Sequence, residues 1–470
     1  MGKATFGLIV GTRGFFNPKL AQTGRKELMA LLDKLGYKYI ILSENDTRYG
    51  LVETVDDAKK CAELFRANYE KIDGIIVSLP NFGDEIGVVQ TLNLAKLDIP
   101  VMVQACDDDT DHMEMENRRD SFCGKLSVCN NLYQYKIRFT NTTLHTCPIN
   151  SKEFEDDINY FAKVCKVVKG IRTARIAQIG TRPAAFQTVR YSEKLLQDSG
   201  ITVIPVDLSV IIGAANKLGD SSAEVKEKVA EIKKYGSIQS DITDEKIIRS
   251  AKLNIAIEQF MTENQCDAGA VQCWDSIQLN YGCASCLPMS MLGEKGVPMA
   301  CETDVTGAVM MYAMYLAGGS PSGYLDWNNN FKQDRDMCIN FHCSNFPKSF
   351  MGGEMGISNL DILGNSLGYD KCFGACKGQV SKGPMTYGKI STDDVWGTIK
   401  VYFGEGEFTD DVVKSCGGFA VCKVPNLQGL MDFICKNGFE HHVAMNRSNC
   451  AEILNEAFEG YLGWETYWHK

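Results

Sequence analysis

The sequence predicts an α/β protein with two doubly wound parallel-sheet domains followed by a β-rich C-terminal domain. Three observations predict it. Strand-like and helix-like segments alternate from the first residues onward. That alternation resumes after a long helical stretch near Phe154–Lys169, and beyond about Gly319 short strand-like segments separated by glycine-rich turns replace it. The boundaries fall at 1–165, 166–319 and 320–470.

In the first domain ATFGLIVG reads as a buried strand, and KLAQTGRKELMALLDKLG has helical apolar periodicity and stops at Gly36, a plausible C-cap. YKYIILS is a strand, DDAKKCAELFRAN a helix, and DGIIVSL and IPVMVQAC are strands. A polar loop, DDDTDHMEMENRRDSFCGK, precedes the helical SVCNNLYQYKI and the strand-like IRFTNTT. In the second domain ARIAQIG is a strand, VRYSEKLLQDSG a helix and ITVIPVDL a strand. EVKEKVAEIKKYG and DEKIIRSAKLNIAIEQFMTENQ are helices, and DAGAVQCW is a buried strand. In the third, YLDWNNNF, INFHCSNF, GTIKVYFGEGEFT and GGFAVCKV read as strands, closed by the helix AEILNEAFEGYLG.

Composition narrows the function. A chain of 470 residues with 44% hydrophobic content can bury several cores. A net charge of −10 gives no footprint for nucleic acid or anionic membrane, though a local basic pocket can still take an anionic substrate. No window approaches a membrane-spanning length of apolar residues, and the apolar run at the N-terminus is too short for a signal segment. Nineteen cysteines without such a segment read as reduced, mostly buried thiols in the cytoplasm. Cys283 and Cys286 form a CxxC, but no second pair stands at zinc-ribbon spacing. GxxxxGK[ST], HExxH and GxSxG are absent, and Gly11–Gly14 lacks the GxGxxG spacing of a dinucleotide site.

Acidic residues past predicted strands are the candidates for chemistry. Asp275 follows VQCW, and Glu302 and Asp304 follow VPMAC. Ligands of open parallel sheets bind at such strand ends. Asp275 and Glu302 stand 27 residues apart, room for one strand–helix–strand crossover. Asp275 and Glu302 also precede helix-like stretches, where each would serve equally well as an N-cap. Among six histidines, His342 lies in the β-rich region, and His441 and His442 are adjacent. On a strand only one of such a pair can enter a given site. Carboxylates with one or two imidazoles suit Mn²⁺ or Mg²⁺.

These residues sit within a broader pattern. GTRGFFNPKLAQTGR, RRDSFCGKLSVCNNL, GTRPAAFQTVRYSE, QCWDSIQLNYGCASC, VPMACETDVTGA, FHCSNFP and GFEHHVAM occur in that order along nearly the whole chain. In order and spacing the chain resembles the L-fucose and L-arabinose isomerase superfamily, especially its short, fucose-isomerase-like bacterial branch.

The resemblance implies a three-domain subunit, a divalent metal, usually Mn²⁺ with Mg²⁺ or Co²⁺ as substitutes, and aldose–ketose interconversion through an ene-diolate. It places one metal carboxylate at Glu302 or Asp304, a second at Asp275, and a histidine at His441 or His442. His342 matches an additional metal-side histidine. One of Glu302 and Asp304 would bind metal, and the other, or Asp275, would carry the proton. With His441 on the metal, His442 and Trp274 fall to the substrate; the reverse assignment stays open.

The resemblance further implies a homo-oligomer, commonly a hexamer, in which Arg13, Arg118 and Arg119 contact substrate. Arg182 and Arg190 serve either packing or substrate. The implied substrate is a fucose-like, arabinose-like or sulfonated sugar such as sulfoquinovose. The alternative is a non-catalytic sugar-binding or regulatory protein on the same scaffold.

Overall fold

The computed structural model describes residues 2–470. The chain forms two compact units. One runs up to Lys169 and takes back Glu456–Gly463; the other comprises Gly170–Asn455 and Trp464–Lys470.

The first unit is a five-stranded parallel sheet of β1 (Thr5–Val10), β2 (Lys38–Ile40), β3 (Gly74–Leu79), β4 (Val101–Ala105) and β5 (Thr140–Asn141), in the order β2-β1-β3-β4-β5. Its helices are α1 (Pro18–Leu35), α2 (Val55–Ala67), α3 (Glu85–Ala95), α4 (Ser121–Gln134) and α5 (Lys152–Arg172). Period-2 alternation along β1 divides the core in two. Phe6, Leu8 and Val10 pack with Leu28 and Leu32 of α1 and Phe154, Ile158 and Phe161 of α5. Ile9 joins Ile75 and Val77 against Phe65 of α2, Val88 of α3 and Val128 of α4. The start and stop of α1 are both local. The Asn17 side chain accepts from the Lys19 amide, Pro18 opens the first turn, and Gly36 ends the helix in the left-handed region at φ 72°.

The second unit begins with a four-stranded parallel sheet. Its strands are β6 (Arg175–Ile179), β7 (Thr202–Val206), β9 (Ala268–Val271) and β10 (Met299–Ala300), in the order β10-β9-β6-β7; β8 (Ser237–Ile238) lies elsewhere. Its helices are α6 (Glu193–Asp198), α7 (Leu208–Lys217), α8 (Ala223–Tyr235), α9 (Asp244–Glu263), α10 (Ser276–Asn280), α11 (Cys286–Glu294) and α12 (Val305–Gly318). Nearly every residue of α12 is buried, which fits its almost wholly apolar sequence.

The remaining strands are β11 (Ser322–Asn330), β12 (Met337–His342), β13 (Gly356–Asn359), β14 (Phe373–Gln379), β15 (Gly383–Asp393), β16 (Thr398–Phe408), β17 (Gly418–Lys423), β18 (His442–Asn446) and β19 (Glu465–His469). They form a mixed sheet in the order β19-β16-β15-β18-β11-β12-β17-β14-β13-β8. A further pairing of Glu407 and Phe408 with Lys423 and Cys422 joins β16 to β17. That closes β16, β15, β18, β11, β12 and β17 into a six-stranded barrel. Leu325, Met385, Tyr387, Tyr402, Phe408 and Val443 belong to its core.

The fold class is the one the sequence predicts. Individual segments differ for local reasons. Part of ITVIPVDL is helix, because the Asp207 side chain accepts from the Ser209 amide and starts α7 directly after β7. VRYSEKLLQDSG holds only the short α6. AEILNEAFEGYLG is helical over Ala451–Asn455 and continues as a π-helix over Glu456–Leu462. The strand β15 carries two glycines, a proline and a lysine, so its strand pattern is masked. Yet it pairs over its full length with β16. Among the described residues no helix is long and apolar enough to cross a membrane.

One close approach fixes α12 against the barrel. A Cβ on Gly307, in the first turn of α12, would lie 2.0 Å from the Tyr324 hydroxyl of β11, and Tyr324 is fully buried. Gly307→Ala should therefore destabilise the protein by about 1–3 kcal/mol through overpacking. Urea denaturation measures it, and an unchanged midpoint would mean the ring has room to move.

Candidate metal centre

The centre is built where β10 ends and α12 begins. Cys301 follows the strand, and Glu302 and Thr303 then adopt left-handed backbone, at φ 52° and 61°. Two consecutive non-glycine residues there cost on the order of 1–3 kcal/mol each. Backbone hydrogen bonds hold the turn: the Thr303 amide donates to the Val271 carbonyl at 3.1 Å, and the Asp304 amide to Cys301 at 3.0 Å. The turn aims Glu302 inward, where its side chain is 3% exposed.

Asp304 is the N-cap of α12, and its oxygens are fully engaged. Oδ1 accepts from the Gly307 amide at 2.8 Å, Thr306 Oγ1 at 3.0 Å and Lys389 Nζ at 2.8 Å. Oδ2 accepts from Tyr324 Oη at 2.5 Å, Lys389 Nζ at 2.7 Å and His442 Nδ1 at 3.0 Å. Asp304 and Lys389 are both fully buried. Burial alone would raise the Asp304 carboxyl, but the Lys389 charge and His442 outweigh it and hold the group well below the usual carboxylate range. Burial and the Asp304 charge push the Tyr324 hydroxyl well up, so it stays protonated and donates.

An ionised Asp304 only accepts, so His442 Nδ1 donates to it, and in the neutral ring Nε2 then carries the lone pair. That lone pair faces two carboxylate oxygens, Glu302 Oε2 at 3.5 Å and Asp326 Oδ1 at 3.6 Å. Both oxygens are buried atoms without a hydrogen-bond partner. The barrel supplies this alignment, since Asp326 on β11 and His442 on β18 are direct cross-strand partners. His342, ending β12, places Nε2 3.5 Å from the same Glu302 oxygen. Burial would raise the Glu302 carboxyl, but His342 first and His442 second bring it below its ordinary value. Burial would lower His342, but Cys343, Glu302 and Asp326 together raise it well above the ordinary imidazole range.

With His442 neutral, its Nε2 lone pair and the two carboxylate oxygens form a cradle that a cation between them would satisfy. Ligands about 2.0–2.6 Å from a hard divalent cation lie roughly 2.8–3.7 Å from each other at right angles, and His442 Nε2 stands at such a distance from each of the two carboxylate oxygens. Glu302, Asp326 and His442 thus fit a divalent metal, with His342 beside them. Asp326, His342 and His442 also group as potential ligands, all within 4.8 Å of one another. Asp326 is 24% exposed and marks the open side of the cluster.

The structure brings together some of the residues singled out in the sequence and leaves others apart. Glu302, Asp304, His342 and His442 converge. His441, 47% exposed, reaches only the edge, 3.8 Å from Asp326 Oδ1. Asp275 is exposed at the start of α10, and its side chain makes no hydrogen bond or ion pair with the cluster. Trp274 packs edge-on against Phe186 at 5.5 Å, and its Nε1 is buried without a partner. Arg182 donates to the carbonyls of Pro183 and Ala184, and Arg190 to that of Gln187, so both brace their own loop. In the other unit Arg13 pairs with Glu85 and Asp84 and stacks over Phe82. Arg118 pairs with Asp120, and Arg119 donates to the Pro80 carbonyl. Cys283 and Cys286 are buried, and among the described residues no potential ligand cluster includes either.

Sequence reasoning missed Asp326, Tyr324 and Lys389. Asp326 had a signal: an acid inside the largely apolar run YLDW, two residues from a tyrosine that shares its face of the strand. Lys389 had a weaker one, a lone cation within an otherwise neutral stretch of β15.

Comparison with known proteins bears on the family of the chain. Residues 7–172 match the family model "Fucose/sulfoquinovose isomerase, N-terminal domain", and residues 340–469 match "L-fucose isomerase, C-terminal domain". The sulfoquinovose isomerase of Priestia aryabhattai is 22% identical over 334 residues, covering 70% of this chain and 72% of that protein. That of Alkalicoccus urumqiensis is 23% identical over 332 residues, covering 67% and 72%. That of Clostridium sp. (strain MSTE9) is 24% identical over 170 residues, covering 36% and 38%. The chain belongs to the fucose-isomerase-like branch of the sugar isomerases, and it is an enzyme of that class.

The Asp304–Lys389 pair gives a direct prediction. Lys389→Met keeps the volume but leaves a buried carboxylate without its cation, which should cost about 3–5 kcal/mol. Chemical denaturation measures it; a loss under about 1 kcal/mol would place the pair in the range of exposed ion pairs.

Proposed function

We propose that this protein is a metal-dependent aldose–ketose isomerase acting through an ene-diolate, with Mn²⁺, or Mg²⁺ or Co²⁺ in its place, held by Glu302, Asp326 and His442. The observation that carries the reading is the convergence of His442 Nε2 with two buried carboxylate oxygens that lack a hydrogen bond. When bound, the ion supplies Lewis-acid polarisation of the sugar's neighbouring oxygens.

The chain's own residues divide the remaining work. Asp326 lies at the open side, and with Oδ1 on the ion its Oδ2 would be the oxygen that moves a proton between C1 and C2. Glu302 is enclosed by His342, His442 and Cys273 and serves as a fixed ligand. Asp304 is a positioning residue: it fixes the tautomer and ring orientation of His442. His342 adds either a further ligand or a donor to substrate oxygen.

The relatives named sulfoquinovose isomerase make a sulfonated aldohexose the first substrate to examine. The arginines of the chain are compatible with such an anion. The same reading carries a homo-oligomer, a hexamer by family resemblance, acting in the cytoplasm. The nineteen free cysteines suit that reducing compartment.

Purified protein with added Mn²⁺ should exchange solvent deuterium into C2 of sulfoquinovose, read by proton NMR, and chelation should stop it. Asp326→Asn should lower exchange about 10²–10⁴-fold. Exchange that survives chelation and Asp326→Asn undiminished would overturn the reading. Asp304→Asn should instead weaken Mn²⁺ binding about 10–100-fold, read by the free-ion EPR signal. Unchanged affinity would remove Asp304 from the positioning role.

A further inference from the structure

Glu302 has a second face. Its Oε2 lies with the imidazoles, but its Oε1 lies 3.5 Å from the Sγ of Cys273, two residues past the end of β9. The Glu302 amide also points at that sulfur, at 3.4 Å. Cys301, from the neighbouring strand end, completes a group in which two thiol sulfurs and a carboxylate oxygen all lie within 4.8 Å of one another. All three residues are buried. None of the chemistry proposed above uses either thiol.

The geometry points to a second cation site formed by Cys273, Cys301 and Glu302, one that takes a thiophilic divalent ion such as Zn²⁺ or Cd²⁺. Tetrahedral zinc with sulfur at about 2.3 Å and carboxylate oxygen at about 2.0–2.2 Å separates those ligands by roughly 3.6 Å. The Cys273–Glu302 pair already stands at that spacing, and Cys301 needs to draw in by about 1 Å at most. Soft thiolates prefer Zn²⁺ or Cd²⁺, whereas the carboxylate–imidazole face suits a hard or borderline ion. Binding replaces two S–H bonds by two metal–sulfur bonds and releases two protons to solvent, with no change of oxidation state. Because Glu302 is common to both faces, an ion held by the thiols draws Glu302 away and displaces Mn²⁺. Occupation of the thiol site stands on its own geometry; only the displacement of Mn²⁺ rests on the proposed isomerase centre.

The test uses the full chain with its exposed cysteines, Cys123, Cys416 and Cys435, changed to serine. One equivalent of Cd²⁺ is added, and the cadmium-edge X-ray absorption is recorded. Two sulfur neighbours are expected, and both should be lost in Cys273→Ser/Cys301→Ser, with far-ultraviolet circular dichroism reporting whether that variant folds. Should it not fold, the single Cys301→Ser variant must lose one sulfur. Cadmium bound only to oxygen and nitrogen, or sulfur neighbours retained in the folded double variant, would overturn the site. In a second arm Cd²⁺ should release bound Mn²⁺ from the parent protein and not from the double variant. A protein that binds Cd²⁺ through two sulfurs but never binds Mn²⁺ would refute the isomerase centre and leave the thiol site standing.

Discussion

The buried pair of Asp304 and Lys389 is the interaction on which the candidate centre depends. Both groups are wholly removed from water, where desolvation offsets much of the Coulomb attraction. Such a pair is a weak source of stability, so its value lies in what it orients. Lys389 keeps Asp304 ionised, and an ionised Asp304 keeps the proton of His442 on Nδ1. In the neutral ring the far nitrogen then carries the lone pair toward Glu302 and Asp326. A single cation in the barrel wall thus sets the polarity of the cluster through one carboxylate and one ring.

The fold makes that chain of contacts possible by joining two architectures within the second unit. The parallel sheet delivers Glu302 and Asp304 at a strand end, where the backbone turns through two left-handed residues into α12. The closed barrel delivers Tyr324, Asp326, His342, Lys389 and His442 from four of its strands. Register does the rest, because cross-strand partners such as Asp326 and His442 share a face. The strain at Glu302 and Thr303 is tolerated because the amides of Glu302, Thr303 and Asp304 are all engaged and α12 is buried along nearly its whole length.

Local patterns carried much of this into the sequence. The alternation of apolar strands and capped helices predicts both parallel sheets, and Gly36 ends its helix in the left-handed conformation expected of it. Glu302, Asp304, His342 and His442 stood out as polar residues beside apolar strands, and all four converge. The cap-or-ligand alternative stood for Asp275 and Glu302: Asp275 occupies the N-cap position of α10 without a side-chain cap bond, Glu302 turns inward, and the capping side chain of α12 is Asp304. Asp326 and Lys389 were not singled out because their meaning is non-local. Each becomes visible only when barrel closure sets β11 beside β18 and brings β15 under α12. Asp275 met the same local criterion as Glu302, yet the exposed turn into α10 keeps its side chain from bonding to the cluster.

The central claim is that Glu302, Asp326 and His442 hold the metal while Asp304 orients from behind. An anomalous-difference map from crystals grown with Mn²⁺ tests it most directly. The account predicts one peak bonded to Glu302 Oε2, Asp326 Oδ1 and His442 Nε2, with Asp304 still bound to Lys389. A peak bonded to Asp304, or one remote from Asp326, would contradict it.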